Sequence, residues 1–275
     1  MADHHLPLAE RRPVAPSPRA RRWVIGLAST AAVVLLAGTF FQLLTAIARH
    51  EYTVTETWTG ADVSAVESAR LSNHVGHLEV TGTARDEIRV DVEVTDGLFR
   101  ARRNEAVVGD QLRTRASCPL WFTTHCRVDQ LVTLPADLRT EIDGRHGTVT
   151  LTGLAGPVVS DTAFGPLRVA GLAGPTVLRH QFGDLAATGL RSDSLEVRHR
   201  FGNTDIEFAE APTELRVDTQ FGTTVIELPD DGAAYRVTGA TSFGTRTIDV
   251  RTDSESPRHI ELDTSFGDAI VRYAR

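Results

Sequence analysis

The sequence predicts an all-β chain: a single-domain β-solenoid of parallel, β-helix-like stacked rungs, preceded by one transmembrane α-helix. Three observations carry that expectation. Phe-Gly occurs six times at near-constant spacing, the apolar alternation changes phase at each of those glycines, and one uncharged apolar run stands near the amino terminus.

Composition sets the outer limits. The 275 residues suffice for one sizeable domain plus an appendage. All 29 basic residues are arginine, which excludes lysine-dependent P-loop and Schiff-base chemistry. Residues 1–22 hold Arg11, Arg12, Arg19, Arg21 and Arg22 against Asp3 and Glu10, a net of +3, so the other 253 residues carry −10 to reach −7 overall. An acidic body with a basic tail argues against nucleic-acid binding by that body.

From Trp23 to Ala48 no residue is charged, and Arg22 and Arg49 close the run. As a helix it would span ~39 Å, more than the ~30 Å hydrocarbon core of a bilayer. The arginines crowd its amino-terminal side, so the positive-inside rule puts residues 1–22 in the cytoplasm as a basic tail, 23–48 across the cell membrane in a single pass, and 51–275 outside. A cleaved signal peptide is the rival reading. Ala46-Ile47-Ala48 fits a small-residue cleavage site and Arg21-Arg22-Trp23 resembles a twin-arginine signal, but the apolar run is longer than a signal core. A retained anchor is therefore expected.

Cys118 and Cys126 are the two cysteines, and outside the cytoplasm they are expected to pair. Closing so short a loop stabilises by about 2.5 kcal/mol in the chain-entropy model. His125 is the close extra ligand and nothing completes a set of four, so no metal and no cofactor is expected.

The repeats come next. Gly165, Gly183, Gly202, Gly222, Gly244 and Gly267 follow Phe164, Phe182, Phe201, Phe221, Phe243 and Phe266 at intervals of 18, 19, 20, 22 and 23 residues. Gly147 and Gly76 are further copies, and "GLAGP" recurs at 153 and 171. A period near twenty is a solenoid signature. Before the glycine the odd offsets are apolar or small, as at Leu215, Val217 and Thr219; after it the even offsets are, as at Ile226 and Leu228. One face of each strand is therefore buried, and the phase change marks a corner whose backbone angles suit glycine. By parity the phenylalanines are expected to point inward, stacked in a ladder. Residues 147–275 form these Gly-corner repeats, 77–146 an irregular capping meander, and 49–65 a stalk or first strand before the domain of 66–275.

An amino-terminal membrane segment, a Cys-containing segment before "VDQLVTLPADLRTEIDGRHGTVTLTGLAG", and tandem strand–Gly–strand repeats together resemble the putative-adhesin family of bacterial envelope proteins. Its domains are β-solenoids of the toastrack type. The resemblance covers about residues 66–275 and implies an extracytoplasmic binding or envelope-stress role without catalytic residues. One departure is the Phe before the corner glycine, where the family commonly has a small polar residue.

The same register gives the outward columns. Four residues before the glycine stand Asp161, Arg179, Arg198, Asp218, Ala240 and Asp263; two before it stand Ala163, Gln181, Arg200, Gln220, Ser242 and Ser265. Arg179, Arg198 and Arg200 thus cluster, either as an anion site for phosphate- or carboxylate-bearing wall polymers or lipid head groups, or as a charge ladder pairing Asp161 with Arg179 and Arg198 with Asp218. His180 and His199 share an inward column and should stack as a polar ladder rather than bind metal. Within that six-residue column no two neighbouring rungs both carry Asp, and Asp218 and Asp263 fall two rungs apart, ~9.6 Å. No H-E-x-x-H, G-x-S-x-G or C-x-x-C motif occurs. The expected function is a membrane-anchored extracytoplasmic binding or envelope-sensing module without catalysis, with an envelope polymer, anionic lipid or envelope protein as partner. The alternatives are a carbohydrate-active β-helix enzyme and a scaffold that self-associates through its last rung. The insertions "PDDGAAY" and "TDSESPRH" are candidate binding loops, and the strand "DAIVRY" is expected to leave an uncovered final rung.

Overall fold

Apolar alternation on either side of a corner glycine gives two short strands that bury a common side. In the computed structural model, which describes residues 18–47, 50–84, 87–96, 100–119 and 126–274, each Phe-Gly marks such a corner. The chain divides into two compact units at Ala48/Arg49. The first holds α1 (Pro18–Ile47), which opens on a proline whose missing N–H is no loss in a first turn. Its stretch Gly26–Leu43, with a mean hydropathy of 1.7, is long and apolar enough to cross a membrane.

The second unit is mostly β. It begins with β1 (His50–Thr59), a one-turn helix α2 (Ala61–Ser64), β2 (Ser68–Asn73) and β3 (Leu78–Thr83). Then come β4 (Glu87–Asp96), β5 (Arg102–Val108), β6 (Gln111–Ser117) and β7 (Arg127–Pro135). The repeats follow as pairs: β8 (Arg139–His146) with β9 (Val149–Thr152), β10 (Val158–Phe164) with β11 (Leu167–Ala170), and β12 (Thr176–Phe182) with β13 (Leu185–Leu190). Next are β14 (Ser194–Phe201) with β15 (Thr204–Phe208) and β16 (Glu214–Phe221) with β17 (Thr224–Leu228). The chain closes with β18 (Arg236–Thr238), β19 (Thr241–Phe243), β20 (Arg246–Asp249), β21 (His259–Phe266) and β22 (Ala269–Tyr273).

Two eleven-stranded sheets result. One runs β1-β4-β7-β3-β9-β11-β13-β15-β17-β22-β20 and the other β18-β21-β16-β14-β12-β10-β8-β2-β6-β5, with β19 also on β21. Pairing is parallel except at β1/β4, β4/β7 and β5/β6. This is the arrangement of a β-solenoid: each rung gives one strand to each sheet, and a single core cluster draws on both. Gly202 shows why the corner needs glycine. Its φ is +136°, and a Cβ there would run into the Gly183 carbonyl of the rung below.

Four expectations change. First, the phenylalanines point outward. Phe164, Phe182, Phe201, Phe221, Phe243 and Phe266 are 37–65% exposed, because inward alternation ends three residues before the glycine and the two residues that follow both face solvent. Neighbouring backbones approach too closely inside the corner to admit a ring. Outside it the rings stack 4.8–4.9 Å apart, with His146 extending the row 5.0 Å from Phe164.

Second, rung order is not chain order. The carboxy-terminal strands β21 and β22 insert against β16 and β17, and the earlier strands β18–β20 lie outside them. "DAIVRY" is therefore covered. The two insertions supply the length for this crossing: seven residues separate β17 from β18 and nine separate β20 from β21, against three between β13 and β14. They also fasten to each other, with Arg258 2.6 Å from Asp231 and the Ser256 hydroxyl donating to the Ala234 carbonyl at 2.7 Å.

Third, much of 77–146 is regular solenoid. β6 and β7 form a rung outside β2 and β3, and β1, β4 and β5 are what runs antiparallel over that end. Fourth, the expectation of a stalk or first strand narrows to a strand: residues 50–59 form an edge strand of the body, paired along their length with β4. Cys118 and Cys126 are disulfide-bonded across the β6–β7 corner with Cα atoms 6.0 Å apart. Residues 1–17, Ala48, Arg49, His125 and the terminal Arg275 lie outside the described residues.

Candidate binding groove

Parallel in-register strands turn sequence offsets into straight columns. On β8, β10, β12, β14, β16 and β21 the outward column reads Asp143, Asp161, Arg179, Arg198, Asp218 and Asp263, each directly opposite the next. Beside it stand Arg145, Gln181, Arg200 and Gln220. All of these side chains except Asp263, which continues its column one rung further, line a groove of about 450 Å³ on the outer face of the sheet. The structure thus brings Arg179, Arg198 and Arg200 into one site as the spacing predicts, and adds Arg145. Arg145 was legible, since it stands two residues before the corner Gly147 just as Arg200 stands before Gly202.

The ion pairs follow the expected ladder only in part. Arg179 Nη1 lies 3.4 Å from Asp161 Oδ1, as expected. Arg198 turns along its own strand to Glu196, 2.8 Å away, and not to Asp218. Arg145 sits 3.7 Å from Asp143. Arg200 and Asp218 have no ion-pair partner among the described residues. Because β21 pairs with β16, Asp218 and Asp263 occupy adjacent rungs and not rungs two apart, and Asp143 and Asp161 are adjacent as well. Asp263 accepts a hydrogen bond from the Ala240 N–H at 3.0 Å.

Beneath the groove lie His180 and His199, each 2% exposed, their rings 4.9 Å apart. Nδ1 of His180 shares a 2.7 Å hydrogen bond with the Thr162 hydroxyl, and Nδ1 of His199 one of 2.7 Å with Thr204. Burial, then the charge of His199, lowers the pKa of His180 to about 4; burial likewise lowers that of His199. Both are neutral at pH 7. No group of three or more His, Cys, Asp or Glu side chains among the described residues is placed to hold a metal ion.

What fold and groove define is a mostly β unit of two long, largely parallel sheets, arranged as in a β-solenoid, with a charged outer face. No family model matches the chain, and no curated protein matches it. Similar solved structures are bacterial proteins described as "putative" adhesins or cell adhesion proteins, at low identity. One is a "putative cell adhesion protein" from Clostridium sporogenes: 12% identity, TM-score 0.36, 82% of this chain and 100% of that one. Another is a "putative adhesin" from Bacteroides fragilis: 12% identity, TM-score 0.40, 81% and 97% covered. A third, from Parabacteroides merdae, has 10% identity and a TM-score of 0.30 over 81% and 96%. The apolar helix, as signal or anchor, and the disulfide fit an envelope location.

Proposed function

We propose that this chain is a single-pass, membrane-anchored binding module of the cell envelope. Its amino terminus is cytoplasmic, its β unit is outside, and it recognises an anionic envelope polymer without catalysis. One observation carries the reading. Arg145, Arg179, Arg198 and Arg200 share a groove on an otherwise acidic body, with Arg179 and Arg198 directly opposite each other on neighbouring strands. Like charges so placed repel, and an anion set between them removes the repulsion while accepting bidentate hydrogen bonds.

The test is co-sedimentation of residues 50–275, which have their own core, with isolated cell walls and anionic vesicles at low and high salt. Salt-sensitive binding to walls, lost in the Arg179→Ala/Arg198→Ala/Arg200→Ala variant, supports the reading. Binding to neither sinks it. A second reading, glycoside cleavage, draws on the adjacency of Asp218 and Asp263, since rungs ~4.8 Å apart approach the ~5 Å separation of a retaining carboxylate pair. Release of reducing ends that disappears in Asp218→Asn would favour it.

A further inference from the structure

The charged column has an order that a self-compensating ladder would not choose. Along six consecutive rungs it runs Asp143, Asp161, then Arg179, Arg198, then Asp218, Asp263. Alternating signs would let each rung neutralise the next. Here three like-charged pairs face one another instead, each an unfavourable cross-strand contact. The compensation inside the protein is thin. Asp161 and Arg179 meet at 3.4 Å and Asp143 and Arg145 at 3.7 Å, all four side chains about half exposed; Arg198 is engaged by Glu196, Asp263 accepts only the Ala240 N–H, and Asp218 and Arg200 have no ion-pair partner among the described residues. Exposed pairs of this kind are weak and readily exchanged for a ligand.

We infer that the groove takes a zwitterionic polymer, one that carries cationic groups on both sides of an anionic one along the solenoid axis. This rests on the anion reading above and narrows its ligand. With rungs ~4.8 Å apart, the centre of the arginine pair stands ~10 Å from the centre of each aspartate pair. The complementary ligand presents an anion to Arg179, Arg198 and Arg200, and an ammonium group about 10 Å away in each direction, at Asp143/Asp161, where it displaces the exposed Arg145 from Asp143, and at Asp218/Asp263. Gln181 and Gln220 stand on the rungs either side of Arg200 and offer both donors and acceptors to a polyol or sugar linking those charges. A uniformly anionic chain would meet carboxylate pairs at both ends of the column and be repelled there. The column therefore discriminates by sign as well as by attraction.

The experiment uses the full chain in detergent micelles and two probes of equal length: poly(glycerol phosphate), and the same polymer bearing alanyl esters, whose ammonium groups make it zwitterionic. Binding is measured by calorimetry at two salt concentrations. The alanylated polymer is expected to bind at least tenfold tighter. In Asp218→Asn/Asp263→Asn that preference should fall by severalfold, while binding of the unmodified polymer holds or improves. Arg198→Ala/Arg200→Ala should weaken both. Equal or tighter binding of the unmodified polymer overturns this inference and leaves the anion reading standing. Binding of neither polymer overturns both. An unchanged preference in the double Asn variant, with circular dichroism unaltered, also overturns the assignment of the ammonium sites.

Discussion

Acidification should destabilise this fold through His180 and His199. His180 has an ordinary pKa of 6.5 and one of about 4 in the folded chain, because burial and the neighbouring His199 disfavour its charged form, outweighing the opposing field of Asp184. A histidine with a depressed folded pKa contributes its full stability above the unfolded value. It loses that contribution as pH falls from about 6.5, where the unfolded chain takes up protons first, and the loss levels off below about 4. The difference of about 2.5 pH units corresponds to about 3 kcal/mol at most. His199 shifts in the same direction and adds to it. The assay is urea unfolding of residues 50–275 between pH 7.5 and 4, beside a His180→Thr/His199→Thr variant, since Thr162, Thr219 and Thr264 fill the same column in adjoining rungs. Every other titratable group is common to both proteins, so the changing difference reports the histidines. The wild type should lose about 3 kcal/mol or more relative to the variant, most of it between pH 6.5 and 4.5. Parallel curves would refute the reasoning, and with it the burial of the imidazole pair.

Other expectations follow from the same geometry. Gly202→Ala should cost roughly 3 kcal/mol or more in urea unfolding, because its Cβ meets the Gly183 backbone; Gly109→Ala, with positive φ but open space around it, should cost about 1 kcal/mol. Phe201 stacks on two rings and Phe243 on one, so Phe201→Ala should destabilise by about twice as much as Phe243→Ala, at roughly 0.5–1.5 kcal/mol per lost stack beyond area. Replacing Cys118 and Cys126 with Ser should lower stability by about 2.5 kcal/mol, with a matching loss when the native chain is reduced.

Much of this architecture was legible because one physical rule repeats. Alternation around a corner glycine fixes which residues are buried, and in-register stacking then places His180 on His199 and Arg179 beside Arg198. The outward turn of the phenylalanines was hidden by parity. Two-residue alternation holds only while the backbone is extended, and the turn into the positive-φ glycine puts consecutive residues such as Arg200 and Phe201 both on the outside. The rung exchange at the far end had a weaker trace. Every rung offers the same inward pattern, so β16 accepts β21 as readily as β19, and the long connections 229–235 and 250–258 were the sign that the chain skips a rung. Chain order alone therefore separates Asp218 from Asp263, which the fold joins. The antiparallel strands over β6 and β7 lack corner glycines, which left their partners unspecified.

That exchange assembles the outer half of the charged column, so its most direct test is a pair of cysteines. Asp218 and Asp263 are register partners on adjacent parallel strands, a Cα separation of ~4.8 Å that lies within disulfide range. Oxidised Asp218→Cys/Asp263→Cys protein, digested and read by mass spectrometry, should yield a peptide linking positions 218 and 263 besides the Cys118–Cys126 bond, while Asp218→Cys/Ala240→Cys should not link. A link between 218 and 240, with none between 218 and 263, would return the rungs to chain order and contradict the groove as described.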